Sequence, residues 1–249
     1  MVSTDFKVRY QGSVLGYIWS LLKPLLLFAI LYIVFTYIIP LGKGIAHYPV
    51  YLLTGVVLWS FFTEATTIGA SSVVARGDLI RKISIPRYLV VVSSSLSALI
   101  NLSLSLVVIF VFAIVNGVTP TFGWLMIFPV IIELFVFSLG ISFLLSAMYV
   151  KYRDITYIWE IFLQAGFYAT PIIYPLTSAP VELHKWFFMN PMAQIIQDAR
   201  YVIVTNTSIT IWSTVHSAMI LVPFLIIAAF VIGGGIYFKR RSKYFAEDI

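Results

Sequence analysis

The chain has 249 residues, of which 61% are hydrophobic and only 10% are charged, and its mean hydropathy is +0.99. A soluble domain has about 45–50% apolar and about 25% charged residues, so this composition excludes a soluble globular protein and indicates a polytopic α-helical membrane protein. The chain has a net charge of +6 but no soluble basic domain, which argues against a nucleic-acid partner. It contains no cysteine, which excludes disulfides and thiolate metal sites.

The first segment of the chain has the pattern of an amphipathic helix. Within 4–23, apolar side chains recur at spacings of three and four, and a stripe of small and basic residues lies about a third of a turn away. Such a helix suits the membrane interface, and Pro24 fits the first turn of a new helix. No A-x-A-like site follows, so we reject a cleaved signal peptide. A longer, tilted first span that begins near Val14 is the alternative.

Six apolar runs follow, and each is interpreted as a membrane span, although the first and fifth are short for a crossing. The runs lie at 24–39, 50–75, 89–115, 124–150, 155–169 and 212–238. An even number of spans places both termini on one side of the membrane. Thirteen of the sixteen Lys and Arg residues fall on that side. By the positive-inside rule, both termini of this multi-pass chain face the cytoplasm.

Four stretches, in chain order, resemble signatures of the ABC-2-type permeases. They are "RYQGSVLGYIWSLLKPLL", "LIRKISIPR", "YRDI", and "PIIYP" followed by "NPMAQIIQDAR". The likeness is greatest to the polysaccharide-export branch, in which the O-antigen permeases of the Wzm type are nearest and the teichoic-acid permeases are near relatives. The resemblance implies one ABC-2 exporter domain over 1–249, all-α, in the bacterial inner membrane.

The same resemblance implies the partners. Two six-helix subunits form a homodimer that encloses a channel for polyprenyl-diphosphate-linked polysaccharide, and two copies of a separate ATP-binding subunit dock in the cytoplasm. The chain itself contains no G-x-x-x-x-G-K-[ST] phosphate loop. We therefore expect a transport subunit with no catalytic residue and no cofactor of its own, while ATP and Mg belong to the partner subunit.

The loop between the second and third runs, 76–88, mixes basic and apolar side chains and ends near a proline. This pattern predicts a short amphipathic helix, which the resemblance identifies as the coupling helix that contacts the ATPase. A basic loop bound to anionic lipid headgroups is the alternative. The segment 151–155 either marks a helix end or makes a second ATPase contact. The coupling candidates are Arg76, Asp78, Leu79, Ile80, Arg81, Lys82, Ile83, Pro86 and Arg87.

The loop between the fifth and sixth runs, 171–206, is rich in proline and aromatic residues. Its apolar periodicity from Pro191 onward predicts short helices in the outer leaflet, which the resemblance identifies as periplasmic gate helices. Aromatic rings stack on the C–H faces of sugars while their polar edges meet hydroxyls. Packing against lipid or other helices is the alternative role for such rings. The channel and gate candidates are Phe28, Tyr32, Phe35, Tyr168, Tyr174 and Trp186, with Tyr157 and Phe167 as further candidates.

Charged residues near and within the apolar runs complete the candidate set. An anionic diphosphate head would be met by cations of the first segment, Lys7, Arg9 and Lys23, whose alternative role is topology. Carboxylates in apolar runs should face protein or water, and the chain has three of them, Glu64, Glu133 and Glu160. For Glu133 we favour a hydrogen bond to a neighbouring helix. The histidines His47, His184 and His216 have no metal-ligand spacing.

Two other functions remain open at this stage. Within transport, the chain is alternatively an ABC-2 exporter of a small hydrophobic compound, which would need a closed pocket rather than a continuous channel. Outside transport, it is alternatively a membrane-embedded glycan or lipid transferase. The sequence shows neither clustered His, Asp and Glu at a membrane surface nor an H-E-x-x-H motif, which disfavours the enzyme.

Overall fold

The computed structural model describes residues 18–39, 41–42, 44–78 and 86–245, and in these ranges the regular structure is helical throughout. Tight turns and short 3-10 segments join the helices. In chain order, the helices are α1 (Ile18–Ile33), α2 (Tyr48–Ala75), α3 (Tyr88–Val115), α4 (Ile127–Lys151), α5 (Ile155–Ala169), α6 (Val181–Phe187), α7 (Pro191–Ile203), α8 (Ile211–Thr214) and α9 (Val222–Arg241).

Five segments of the described chain are long and apolar enough to cross a bilayer. They are Leu21–Ile38, Tyr48–Ala75, Tyr88–Val115, Phe122–Lys151 and Ala218–Tyr244. The helix predicted at 155–169 forms with those bounds as α5, but its 15 residues extend only about 22 Å. Because a bilayer core is about 30 Å thick, α5 does not span alone, and the predicted count of six spanning helices is not confirmed.

The first span corrects the predicted helix boundary at Pro24. That proline lies inside α1, which runs from Ile18 to Ile33 and continues as one π-helical segment, Val34–Ile38. The prediction that a new helix begins at Pro24 is therefore wrong. Membrane helices tolerate an internal proline because neighbouring helices and local adjustments satisfy the freed backbone carbonyl. The rest of the predicted interface helix, 4–17, lies outside the described residues.

The last apolar run, predicted at 212–238, is interrupted. The short helix α8 stops at Thr214, and α9 begins at Val222 after a 3-10 turn. Thr210 and Ser213 form a capping box around the start of α8, and Pro223 stands in the first turn of α9, where its missing N–H costs nothing. These local signals separate two helices within a stretch that composition alone joins.

Helix α2 is the centre of the bundle, because it packs against α1, α3, α4, α5 and α7. Its buried positions lie on every side of the helix. Helix α4 also packs directly against α9. A Cβ atom at Gly140 would lie 2.8 Å from the backbone nitrogen of Val231, so only glycine permits this approach. The backbones of the two helices are therefore in close contact.

The helices alternate in direction between two ends of the bundle. At one end, called the tail end, an apolar cluster joins the termini of α2, α3, α4 and α9. At the other, called the α7 end, His47 Nδ1 donates a hydrogen bond to the carbonyl of Asn116 at 2.8 Å, and the Tyr48 hydroxyl donates to the carbonyl of Ile173 at 3.0 Å. The tail-end cluster consists of Val73, Val91, Ala147, Val150, Phe238 and Phe245.

Candidate functional site

A fully buried arginine dominates the α7 end. The guanidinium of Arg200, which is 0% exposed, donates to three backbone carbonyls: those of Tyr51 at 3.1 Å, Pro171 at 2.6 Å and Ile172 at 2.7 Å. It also lies 3.5 Å from the centre of the Tyr51 ring. Burial lowers the pKa of Arg200, while the two neighbouring tyrosines, Tyr51 and Tyr48, oppose that shift.

Arg200 joins two of the sequence signatures into one site. Residue 200 closes the stretch "NPMAQIIQDAR", and its bonds reach "PIIYP" through Pro171 and Ile172. A second bond lies next to these, since the Asn190 side chain donates at 2.9 Å to Thr170, the residue directly before "PIIYP". The side-chain Oδ1 of Asn190 also accepts from the backbone N–H of Met192 in the first turn of α7. Helix α7 is thereby fixed both to α2 and to the segment that follows α5.

A glycine on α2 makes room for this arginine. A Cβ atom at Gly55 would lie 2.6 Å from Nη2 of Arg200 and 3.4 Å from a methyl of Ile172. Any larger side chain at that position therefore displaces the guanidinium from its carbonyl partners. We call this arrangement the Arg200 lock, because the bonds of one side chain hold together α2, α7 and the segment after α5, which are distant in sequence.

An acid and amide cluster lies on the other face of α7. The Gln194 amide donates to Glu133 on α4 at 3.3 Å and to Asp198 at 2.8 Å, and the Trp212 indole also bonds Asp198. The pairing favoured for Glu133 is therefore present. Burial raises the pKa of Asp198, against the opposing bonds from Gln194 and Trp212. Two carboxyl groups thus share one amide donor in a buried setting.

Helix α5 presents an exposed stripe that mixes aromatic and polar side chains. Tyr157, Ile161 and Tyr168 are 67%, 67% and 62% exposed, and Glu160 and Gln164 are exposed beside them. A carboxylate and an amide facing lipid alone would be costly, so this stripe is suited to water or to another protein surface. Phenolic rings with carboxylate and amide groups are also the side chains that contact sugars.

The remaining channel and gate candidates divide between packing and exposed positions. Phe28 stacks on Tyr32 with centroids 5.8 Å apart and meets Phe112 of α3 edge-on at 5.6 Å. The rings at 28, 32 and 35 are half-buried against the bundle core. The half-buried Tyr174 donates to the carbonyl of Tyr168 at 3.2 Å, whereas Trp186 on α6 is exposed. Phe167 packs edge-on against Trp59.

The tail end carries the described part of the coupling candidates. Arg76 donates to the Ser93 hydroxyl at 2.8 Å, and Arg87 donates to the carbonyl of Ser242. Asp78 and Pro86 are exposed. Gly77 and Asp78 are helical. The candidates Leu79, Ile80, Arg81, Lys82 and Ile83 lie outside the described residues.

The isolated charged candidates and the histidines take different positions. Lys23 is exposed on α1, while Lys7 and Arg9 fall outside the described part of the chain. Glu64 accepts from Asn101 at 2.8 Å between α2 and α3. His184 bonds the carbonyl of Ala179 at 3.0 Å, and His216 is exposed. Among the residues that the structure describes, no group of three His, Cys, Asp or Glu could hold a metal.

Sequence reasoning missed the role of Arg200 and of Gly55. By sequence, Arg200 is only one of the three Lys and Arg residues that do not fall on the side of the termini. In the structure Gln194, Gln197 and Arg200 are all buried, because α7 packs against α2, α4 and α9 together.

Comparisons with known proteins agree on one family. Residues 1–204 match the family described as ABC-2 type transporter. The O-antigen export system permease protein RfbA of Klebsiella pneumoniae is 31% identical over 208 residues, which are 83% of this chain and 80% of that protein. RfbA of Myxococcus xanthus is 28% identical over 100% of this chain and 94% of its own length. The polysialic acid transport protein KpsM of Escherichia coli is 21% identical over 79% and 76%.

Proposed function

The chain belongs to the ABC-2 type transporter family, and from that premise we propose that it is the membrane subunit of an ATP-driven exporter of O-antigen-type polysaccharide. The cargo is a glycan linked to a polyprenyl diphosphate, moved across the bacterial inner membrane. The observation that carries this proposal is the likeness to two O-antigen export permeases over more than four fifths of this chain.

Deletion of the gene in its own host tests the proposed cargo. Cells without this chain are expected to lose surface polysaccharide and to accumulate the lipid-linked glycan at the cytoplasmic face. Immunoblotting of surface polysaccharide, together with extraction of the lipid-linked pool, measures both quantities. Normal surface polysaccharide in the deletion strain would contradict the proposal. Loss of resistance to a hydrophobic compound, with surface polysaccharide intact, would favour export of a small hydrophobic molecule instead.

A second copy of the chain is proposed to complete the channel. The exposed stripe of α5 supports this, because its aromatic and polar groups need a partner other than lipid and offer a weak binding surface for many similar sugar rings. The chain lacks native cysteine, so a single cysteine at Ile161 is expected to form a disulfide-linked dimer in membranes. A cysteine at the exposed Ile232 of α9 is the matched control. Equal cross-linking at both positions, or none at Ile161, would contradict this interface.

Two ATP-binding subunits are proposed to contact the segment 76–88. Its apolar side chains would enter the partner, so replacing Leu79 and Ile83 by Asp is expected to weaken assembly or to uncouple ATP hydrolysis from export. Co-purification of the ATPase and export measure these effects while membrane insertion of the permease is monitored. Full recovery of the complex with full export would contradict the contact.

The cations of the first segment are proposed to meet the diphosphate head of the cargo. Removing the charges of Arg9 and Lys23 together is expected to lower glycan export with insertion intact, since each cation can bond phosphate oxygens. In the helix predicted for this segment, Lys7 falls away from the face shared by Arg9 and Lys23, so removing its charge alone is the comparison and should lower export less. Export at the unmodified rate by the double variant would refute this contact.

A further inference from the structure

The last described residues fold back onto the bundle. After α9 ends at Arg241, a 3-10 turn, Ser242–Tyr244, brings Phe245 into the tail-end cluster. Phe245 is 1% exposed, whereas its neighbour Tyr244 is 52% exposed. The ring of Phe245 meets Phe238 edge-on with centroids 5.4 Å apart. A buried aromatic ring at the end of a membrane helix indicates a docked segment rather than a solvated tail.

This docked segment, 242–245, touches both ends of the loop 76–88. The cluster that holds Phe245 contains Val73, just before the loop leaves α2, and Val91, just after it enters α3. Arg87, near the end of the loop, donates to the carbonyl of Ser242. Residues at the two ends of the loop, which we call its hinges, are thus connected to the segment that follows α9.

The docked segment is also connected to the packed pair of α4 and α9. Ala147 and Val150 of α4 belong to the same cluster, and Phe143 packs against Phe238 of α9 with centroids 5.1 Å apart. Gly140 of α4 and Gly234 of α9 bring the backbones of these two helices into close contact.

We propose that the segment 242–245 is a brace that positions the loop 76–88 and transmits its displacement to α9 and α4. This inference rests on the proposed coupling function of that loop. It concerns residues beyond 1–204, the part that matches the transporter family. The segment is a positioning element: Phe245 acts through the hinges of the loop and is not a contact with the ATPase or the glycan.

Mobility of the loop in the permease without its ATPase tests the brace directly. A spin label on a cysteine introduced at Ser84 reports loop motion, because the full chain has no native cysteine. Phe245→Ala is expected to raise the mobile fraction by about tenfold, since truncating a buried phenylalanine removes most of the apolar contact that holds the segment. Tyr244→Ala, at the exposed neighbour, is the matched control and is expected to leave the spectrum unchanged.

The outcomes decide the proposal even if Phe245→Ala inserts poorly. In that case Phe245→Leu, which keeps an apolar side chain of smaller volume, is expected to give an intermediate mobile fraction. An unchanged label spectrum in whichever variant inserts overturns the brace. Equal mobility in the Phe245 and Tyr244 variants overturns it as well.

A second measurement separates the brace from the proposed function. In the complete complex, Phe245→Ala is expected to retain the ATPase subunit and ATP hydrolysis while glycan exported per ATP falls. If the unmodified complex exports no glycan, the proposed function is wrong and the label measurement still judges the brace. Unchanged export per ATP in the variant, with the unmodified complex active, overturns the transmission role.

Discussion

Replacing Gly55 by Ala tests whether Arg200 is a lock between α2, α7 and the segment after α5. The new methyl group would lie 2.6 Å from Nη2 of Arg200, so the guanidinium must move away from Ile172, which it now meets at 2.7 Å. Arg200→Met removes the same bonds without a clash. The two changes therefore disrupt the hydrogen bonds of the same guanidinium, one from α2 and the other from α7.

The expected magnitudes follow from the bonds that are lost. A buried carbonyl left unpaired costs about 1–3 kcal/mol, so loss of the bonds to Pro171 and Ile172 makes Arg200→Met cost about 2–6 kcal/mol. Gly55→Ala loses these bonds as well but regains up to about 1 kcal/mol of helix propensity, so its net cost is about 1–5 kcal/mol. With Met at 200 the clash is gone, so adding Gly55→Ala should then be neutral or stabilising.

Unfolding in denaturant, followed by tryptophan fluorescence, measures both single variants and the double variant. The predicted signature is a coupling free energy of about 2 kcal/mol or more between the two positions. Gly233→Ala on α9 is the matched control, since a Cβ there meets nothing within 4 Å, and it should not destabilise the protein. Additive effects of Gly55→Ala and Arg200→Met would refute the lock.

Two further predictions concern charge and orientation. Because burial raises the pKa of Asp198, protonation of this side chain stabilises the folded protein. The contribution to stability is fully present below the unfolded-state pKa of about 4 and is lost as the pH rises through the folded-state pKa. Asp198→Asn should therefore flatten the decline of the thermal midpoint as the pH rises above about 4; an unchanged slope would contradict this. Cysteines at Ser3, Ser84 and Ser242 should be protected from an impermeant thiol reagent outside intact cells while one at Ser178 reacts, and labelling at Ser84 would reverse the proposed topology.

The sequence predicts those elements whose signals are local. The bounds of α5 agree because Asp154 and Thr170 flank a mostly apolar run, and the helix from Pro191 agrees because Asn190 caps it and proline opens it. The capping box of Thr210 and Ser213 is equally local. The apolar run predicted at 212–238 nevertheless misses the break between α8 and α9, because hydrophobic composition averaged over the whole run does not show it.

The site at the α7 end could not be predicted, because its bonds are tertiary. Nothing near Arg200 in sequence shows that its donors face carbonyls of Tyr51 and Pro171, which lie 149 and 29 residues away. The need for glycine at position 55 follows only from that placement. Likewise, burial of Phe245 appears only once four helix ends meet.

Reconstitution tests the central claim most directly. Vesicles containing this chain and its ATP-binding subunit are supplied with lipid-linked polysaccharide outside, and glycan that becomes protected from added glycosidase is measured. The proposed function predicts protection that requires ATP hydrolysis and both subunits, and that is lost when Leu79 and Ile83 are replaced by Asp. Protection that is equal without ATP or without the ATPase subunit, or no protection in the complete system, would contradict it.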